Sequence, residues 1–150
     1  MFNLGRFLAP FRRKPLSAYQ LALRSLEHGH YEEALRQLDA LLNDETHTAR
    51  DRATILNKRG VALIGLGRRE DARRAFEEAL GLQPGFAPAL VNLGNLLLES
   101  GETEAAVKNY EAAILSDEKY GPAHHNLAVA YKRLGRTADS VRELRRSHKL

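Results

Sequence analysis

The sequence contains no cysteine and no tryptophan, and it has a single methionine and five prolines among 150 residues. Without cysteine there are no disulfides and no thiolate metal sites, which fits a reducing compartment. No apolar run approaches the ~18 residues needed to span a bilayer. The N-terminus lacks the apolar region and cleavage site of a secretory signal. Strand-like alternation of useful length is also missing, so an all-α chain with short connections is expected. An excess of one charge is confined to one end. The formal net charge is +4, from 23 Lys and Arg against 19 Asp and Glu. Arg6, Arg12, Arg13 and Lys14 lie in an acid-free leader. Removing those four leaves 19 basic against 19 acidic residues, so the high isoelectric point belongs to the leader. A basic nucleic-acid-binding fold is not indicated.

Chemical motifs are scarce as well. No H-E-x-x-H zinc motif and no Walker-type phosphate loop occurs. The stretch Gly60–Gly67, GVALIGLG, is glycine-rich, but its glycines fall at helix-packing and helix-ending positions. It neither follows a strand nor opens a helix, as a phosphate loop must. His28 and His30 flank Gly29, His47 and His148 are isolated, and His124 and His125 are consecutive. Two consecutive helical residues point about 100° apart, which suits no shared metal. These histidines read as surface or groove residues. No catalytic residue, metal site or cofactor is expected, and the chain is not expected to be an enzyme.

What is present is a repeat. In the stretch Ala87–Tyr120, Leu90, Leu93, Gly94 and Leu97 share one helical face. Ala106, Tyr110 and Ala113 do the same on a second helix, and Gly101 ends the first, since glycine takes positive φ at little cost. Shifted by 34 residues, the set Leu93, Gly94, Leu97, Gly101, Ala106, Tyr110 and Ala113 becomes Leu127, Ala128, Tyr131, Gly135, Ser140, Leu144 and Ser147. Shifted back by 34, it becomes Arg59, Gly60, Leu63, Gly67, Ala72, Phe76 and Ala79. A further shift of 38 gives Leu21, Ala22, Ser25, Gly29, Ala34, Leu38 and Leu41. Four hinge glycines thus mark four helix–turn–helix units.

A helical hairpin of this period, with Asn92-Leu93-Gly94, the Gly101 hinge, Ala106, Tyr110, Ala113 and the unit-ending Pro84, resembles the tetratricopeptide repeat (TPR) family. The resemblance covers roughly residues 15–150. Three positions depart from it: Leu38 replaces an aromatic, Glu118 a proline, and Arg59 an apolar residue. It implies an α-solenoid, a right-handed superhelical array of antiparallel hairpins. The repeats run over about 15–48, 53–86, 87–120 and 121–150, after a leader of residues 1–14. The four additional residues in 44–52 are expected to start the next helix early, near Thr48 or Ala49. Pro15 is expected in the first turn of a helix reaching His28, and Tyr31 to Asn43 form its partner.

The leader, MFNLGRFLAPFRRK, puts Leu4, Phe7, Leu8 and Phe11 on one face, although Gly5 and Pro10 oppose a continuous helix. It is expected to pack its phenylalanines on repeat one. The alternatives are a partner-docking segment, a short organelle-targeting leader, or a weak membrane-surface contact that would make the chain a membrane-peripheral assembly factor.

In a stacked array the first helices of successive hairpins line the concave side. By resemblance, the inward positions are Asn57, Lys58 and Val61 in repeat two, and Val91, Asn92, Asn95 and Glu99 in repeat three. Repeat four supplies His125, Asn126, Val129, Lys132 and Arg133, and repeat one Tyr19, Gln20 and Leu23. Asparagine amides both donate and accept, so Asn57, Asn92, Asn95 and Asn126 suit an extended peptide backbone. The alternative is that some merely satisfy polar groups of neighbouring helices. The five-residue clamp with which some TPR modules hold a C-terminal carboxylate is incomplete. Tyr19 or Asn57 stands at its first lysine position, and Pro88 or Pro122 at the later one.

The implied function is a cytoplasmic scaffold or assembly factor that binds a peptide or partner helix. Arg142, Arg145, Arg146 and Lys149 are expected to complement the last helix dipole. Val141, Leu144 and Tyr131 are expected to be partly uncovered at the last hairpin, which would allow a homo-oligomer to form there.

Overall fold

The computed structural model of the protein describes residues 16–149. The leader, and Pro15 with it, lies outside the described residues. Helices α1 (Ala18–Glu27) and α2 (Tyr31–Leu42) form the first hairpin, and α3 (Ala49–Gly65) and α4 (Arg69–Leu82) the second. Helices α5 (Ala87–Glu99) and α6 (Thr103–Ser116) form the third, and α7 (Gly121–Arg133) and α8 (Thr137–Ser147) the fourth. Among the described residues there is no strand. Successive hairpins stack through α2 on α3, α4 on α5 and α6 on α7, while α3–α5 and α5–α7 touch along one side.

The four hairpin turns share one construction. Gly29, Gly67, Gly101 and Gly135 have φ of 73°, 72°, 88° and 73°. In each, the glycine N–H and the next N–H reach back over the end of the helix. In the third turn Gly101 donates to the Leu98 carbonyl at 3.3 Å and Glu102 to that of Leu97 at 2.8 Å. This is the Schellman closure, which satisfies carbonyls that have run out of helical donors. An added Cβ at these glycines would meet nothing within 4 Å, so it is φ and not space that calls for glycine.

Helix starts depart from the sequence reading in one place. The first helix begins at Ala18 and not at Pro15. Ser17 caps it: its hydroxyl accepts from the Gln20 N–H at 3.2 Å, and the Gln20 side chain accepts from Ser17 N–H at 2.9 Å. Such a reciprocal cap fixes a helix start more firmly than a nearby proline does. Thr48 and Asp51 build the same box ahead of α3. Helix α3 has 17 residues against 13 in α5 and α7. The four additional residues therefore become one more turn at its N-terminus.

Small residues set the spacing between helices. Ala34, Ala72, Ala75, Ala79, Ala106 and Ala113 are fully buried, and the large side chains Leu38, Leu63, Phe76 and Tyr110 fill the hairpins. Arg59, at the position held by Leu93 and Leu127 in later repeats, finds Asp39 of α2 at 2.6 Å. An ion pair there ties repeat one to repeat two where an apolar contact serves elsewhere. Tyr131 is buried rather than partly uncovered. Its hydroxyl donates to Glu111 at 2.8 Å, and the Arg136 guanidinium stacks 4.2 Å from its ring centroid. Leu144 is half-buried and Val141 is 42% exposed.

Candidate functional site

The first helices of repeats two to four lie side by side and carry the positions singled out above. Their asparagines are engaged with one another. Asn92 Nδ2 donates to Asn57 Oδ1, and Asn126 Nδ2 donates to Asn95 Oδ1, both at 2.8 Å. The Tyr110 hydroxyl also donates to Asn95 Oδ1 at 2.8 Å. Each amide bond bridges two repeats, and the Tyr110 contact anchors the ladder to the hairpin core.

This arrangement sorts the candidate residues. Asn57 and Val91 are each only 4% exposed, so they present no surface to a ligand. Asn92, Asn95 and Asn126 are half-buried, as is Lys58. The Asn95 oxygen already accepts two bonds, which leaves its amide hydrogens as the side of the group turned to other partners. Glu99, His125, Val129, Lys132 and Arg133 are exposed. Glu99 pairs with Arg69 at the start of α4. Arg133 donates to the Leu98 carbonyl at 2.7 Å, covering the end of α5 without loss of its charge. A depression of about 180 Å³ lies between α3 and α5, with Val61, Ile64, Asn92, Asn95 and Glu99 in its walls.

At the other end, Tyr19 of α1 does not join this ladder. It lines a separate cleft of about 370 Å³ with His47, Asp51, Thr54 and Ile55. Burial pushes the Tyr19 hydroxyl above its ordinary pKa. His47 and Asp51 escape the repeat pattern because they belong to the loop before α3 and to its added turn, and Thr54 lies just past that turn. That loop is fixed by Asp44, whose carboxylate accepts from the Thr46 N–H at 2.9 Å and hydroxyl at 2.7 Å.

The histidines divide likewise. His125 is exposed, but His124 is 2% exposed and is not a surface or groove residue. Its Nδ1 lies 2.8 Å from Glu143 Oε2 and its Nε2 lies 2.9 Å from the Glu118 carbonyl. Among the described residues no group of three or more His, Asp or Glu is placed to hold a metal. No helix among them is long and apolar enough to cross a membrane.

A family model described as Tetratricopeptide repeat matches residues 19–87, 57–123 and 91–147. The chain belongs to the tetratricopeptide repeat family. Solved TPR structures superpose on most of it. One titled MamA protein has a TM-score of 0.71 at 20% identity, covering 88% of this chain and 70% of its own. MamA 41-end from Desulfovibrio magneticus RS-1 gives 0.69 at 25%, covering 87% and 71%. The second TPR of Spaghetti (RPAP3), bound to HSP90 peptide SRMEEVD, gives 0.64 at 22% and covers 67% of this chain and 94% of its own. A TPR array of this kind is the fold of protein–protein interaction scaffolds, and such modules are in general non-catalytic.

Proposed function

We propose that this TPR array holds a peptide or partner helix against the side formed by α3, α5 and α7. The observation that carries the reading is the fixed amide ladder. Asn126 and Tyr110 hold the Asn95 oxygen, so its N–H groups are oriented before a ligand arrives. Pre-orientation lowers the ordering cost of binding. A peptide carbonyl is the acceptor such a group suits, and the free Asn126 oxygen suits a peptide N–H. Around the ladder stand Lys58, His125, Val129, Lys132 and Arg133, while Glu99 is neutralised by Arg69. Val129, 36% exposed, offers apolar contact between them.

The asparagines are poor test positions, because they also join the repeats. Val129 and Lys132 have no such role. Peptides selected from a random display library on the full chain are expected to bind the Val129→Asp/Lys132→Glu variant about tenfold more weakly or worse. Far-ultraviolet circular dichroism should not change. Selected peptides that bind parent and variant alike would remove this face as the binding surface.

A further inference from the structure

A cleft of about 550 Å³ lies beside the asparagine ladder and not on it. Its floor is Leu93, Leu96 and Leu97 of α5, and Arg69, Arg73 and Arg133 stand around it. The repeat register explains why it is open. Arg73 of α4 corresponds to Leu35 of α2 and to Val107 of α6. Leu35 packs against the Leu63–Phe76 cluster of the next repeat, and Val107 is 7% exposed within the core of repeats three and four. Arg73 fills no such space. It turns along its own helix, with Nε 3.0 Å from Glu77 Oε1. The α4–α5 contact is therefore missing one aliphatic side chain, and the leucines of α5 are left as an apolar floor under charged walls.

Leu96 and Glu99 line both this cleft and the depression beside Asn92 and Asn95. The two therefore adjoin, with Leu96 and Glu99 as their common wall on one turn of α5. We infer that the cleft between α4 and α5 receives an aromatic side chain of the polypeptide held along the ladder, a reading that rests on the proposed function above. Three leucines supply apolar contact for the ring, and guanidinium groups at the rim stack on its faces. The same chemistry already operates inside this chain, where Arg136 lies over Tyr131. Much of the charge on the lining is satisfied internally, since Arg69 pairs with Glu99 and Arg73 with Glu77, while Glu70, Glu102 and Arg133 stand at the rim and leave the leucine floor to an apolar group.

The test uses the full chain and N-acetyl-phenylalanine amide as probe, with N-acetyl-lysine amide as control, followed by methyl and amide NMR. The phenylalanine probe is expected to shift Leu93, Leu96 and Leu97 with a dissociation constant on the order of millimolar. The lysine probe, which has no ring to cover the leucines, should bind there about tenfold more weakly or worse. Arg73→Leu, which restores the residue type at Leu35, should pack onto the α5 leucines, cover the apolar floor and weaken the probe about tenfold or more. Arg73→Val, which copies the residue type at Val107, should do the same and serves if the first variant folds poorly. Shifts that fail to localise to α5, or that persist in both variants, would overturn the assignment. Because the two probes share the same backbone amides and differ only in the side chain, their difference reads the cleft and is independent of the peptide-selection test. A failed cleft with surviving Val129 and Lys132 sensitivity leaves the ladder reading intact. The reverse outcome supports the cleft and removes the ladder.

Discussion

A Cβ built on Gly94 would lie 2.6 Å from Cε1 of Tyr110, inside the ring's own contact radius. Gly60 stands in the same relation to the ring of Phe76. The corresponding pairs in the outer repeats are Ala22 with Leu38 and Ala128 with Leu144. Glycine therefore faces an aromatic ring, and in the repeat register alanine takes its place where leucine replaces the ring. Volume is conserved across each hairpin while its division between the two helices changes. Gly94→Ala should accordingly overpack repeat three and cost about 1–3 kcal/mol. Tyr110→Leu alone should leave a cavity and also lose the bond to Asn95. The double variant recreates the pair of repeat four and should cost clearly less than the sum of the two. Urea unfolding of all four chains closes the cycle. Additive free energies would show that the ring and the glycine do not constrain each other.

That relationship is legible in the sequence because both members of each pair lie within one hairpin, 16 residues apart. The period exposes such contacts directly. The asparagine ladder is not, although each of its residues stands out in the repeat pattern. Its bonds join residues 35 and 31 apart in different repeats. Pattern alone does not say whether an amide faces a neighbouring helix or solvent, and both outcomes are found within one ladder. His124 is misplaced by the sequence for a related reason. Its partner Glu143 is 19 residues away on the opposite helix, and nothing local marks a histidine as bonded to a buried carboxyl group. Arg73 is legible in principle, as the charged residue in a column with Leu35 and Val107, but a single charge on a helix surface passes for ordinary.

Tyr110 also makes stability depend on alkaline pH. Its side chain is fully buried, and burial pushes the hydroxyl pKa up to about 12, against an ordinary value of 10.0. The nearby Arg133 opposes that shift and does not cancel it. In the unfolded chain the phenol ionises from pH 10 upward, whereas in the folded chain it stays neutral until about 12. Its contribution is thus complete below pH 10 and is lost as pH rises toward 12. Tyr19, Tyr120 and Tyr131 are displaced in the same direction, in each case chiefly by burial, and add to the decline. Thermal melts from about pH 8 to about pH 11.5 should fall through the upper part of that range, and less steeply in Tyr110→Phe. An absorbance titration of the folded chain should show one phenol ionising last, absent from the variant. Equal slopes in the two chains would refute the assignment.

The buried pair in repeat four gives the sharpest test of what joins α7 to α8. Both His124 and Glu143 are nearly sealed from solvent, at 2% and 4% exposure. Removing one member of such a pair leaves a charged group without its partner, a change that costs about 3–5 kcal/mol in general. Here Glu143 keeps Arg146 at 3.1 Å, so His124→Phe should fall toward the lower end of that range. The loss should be local. Hydrogen exchange is expected to quicken in α8 and in the Glu118 turn, whose carbonyl loses its donor, and to stay unchanged in α1 and α2. Replacing both residues, His124→Phe with Glu143→Leu, should recover much of the stability, because a well-packed apolar pair replaces a buried ionic one at little or no loss. If the double variant is instead no more stable than either single one, while its loss stays well below the sum of the two single losses, the ionic pair supplies more than a well-packed apolar pair does. The fourth hairpin would then be held by charge, unlike the third, which Val107 and Tyr110 hold by packing.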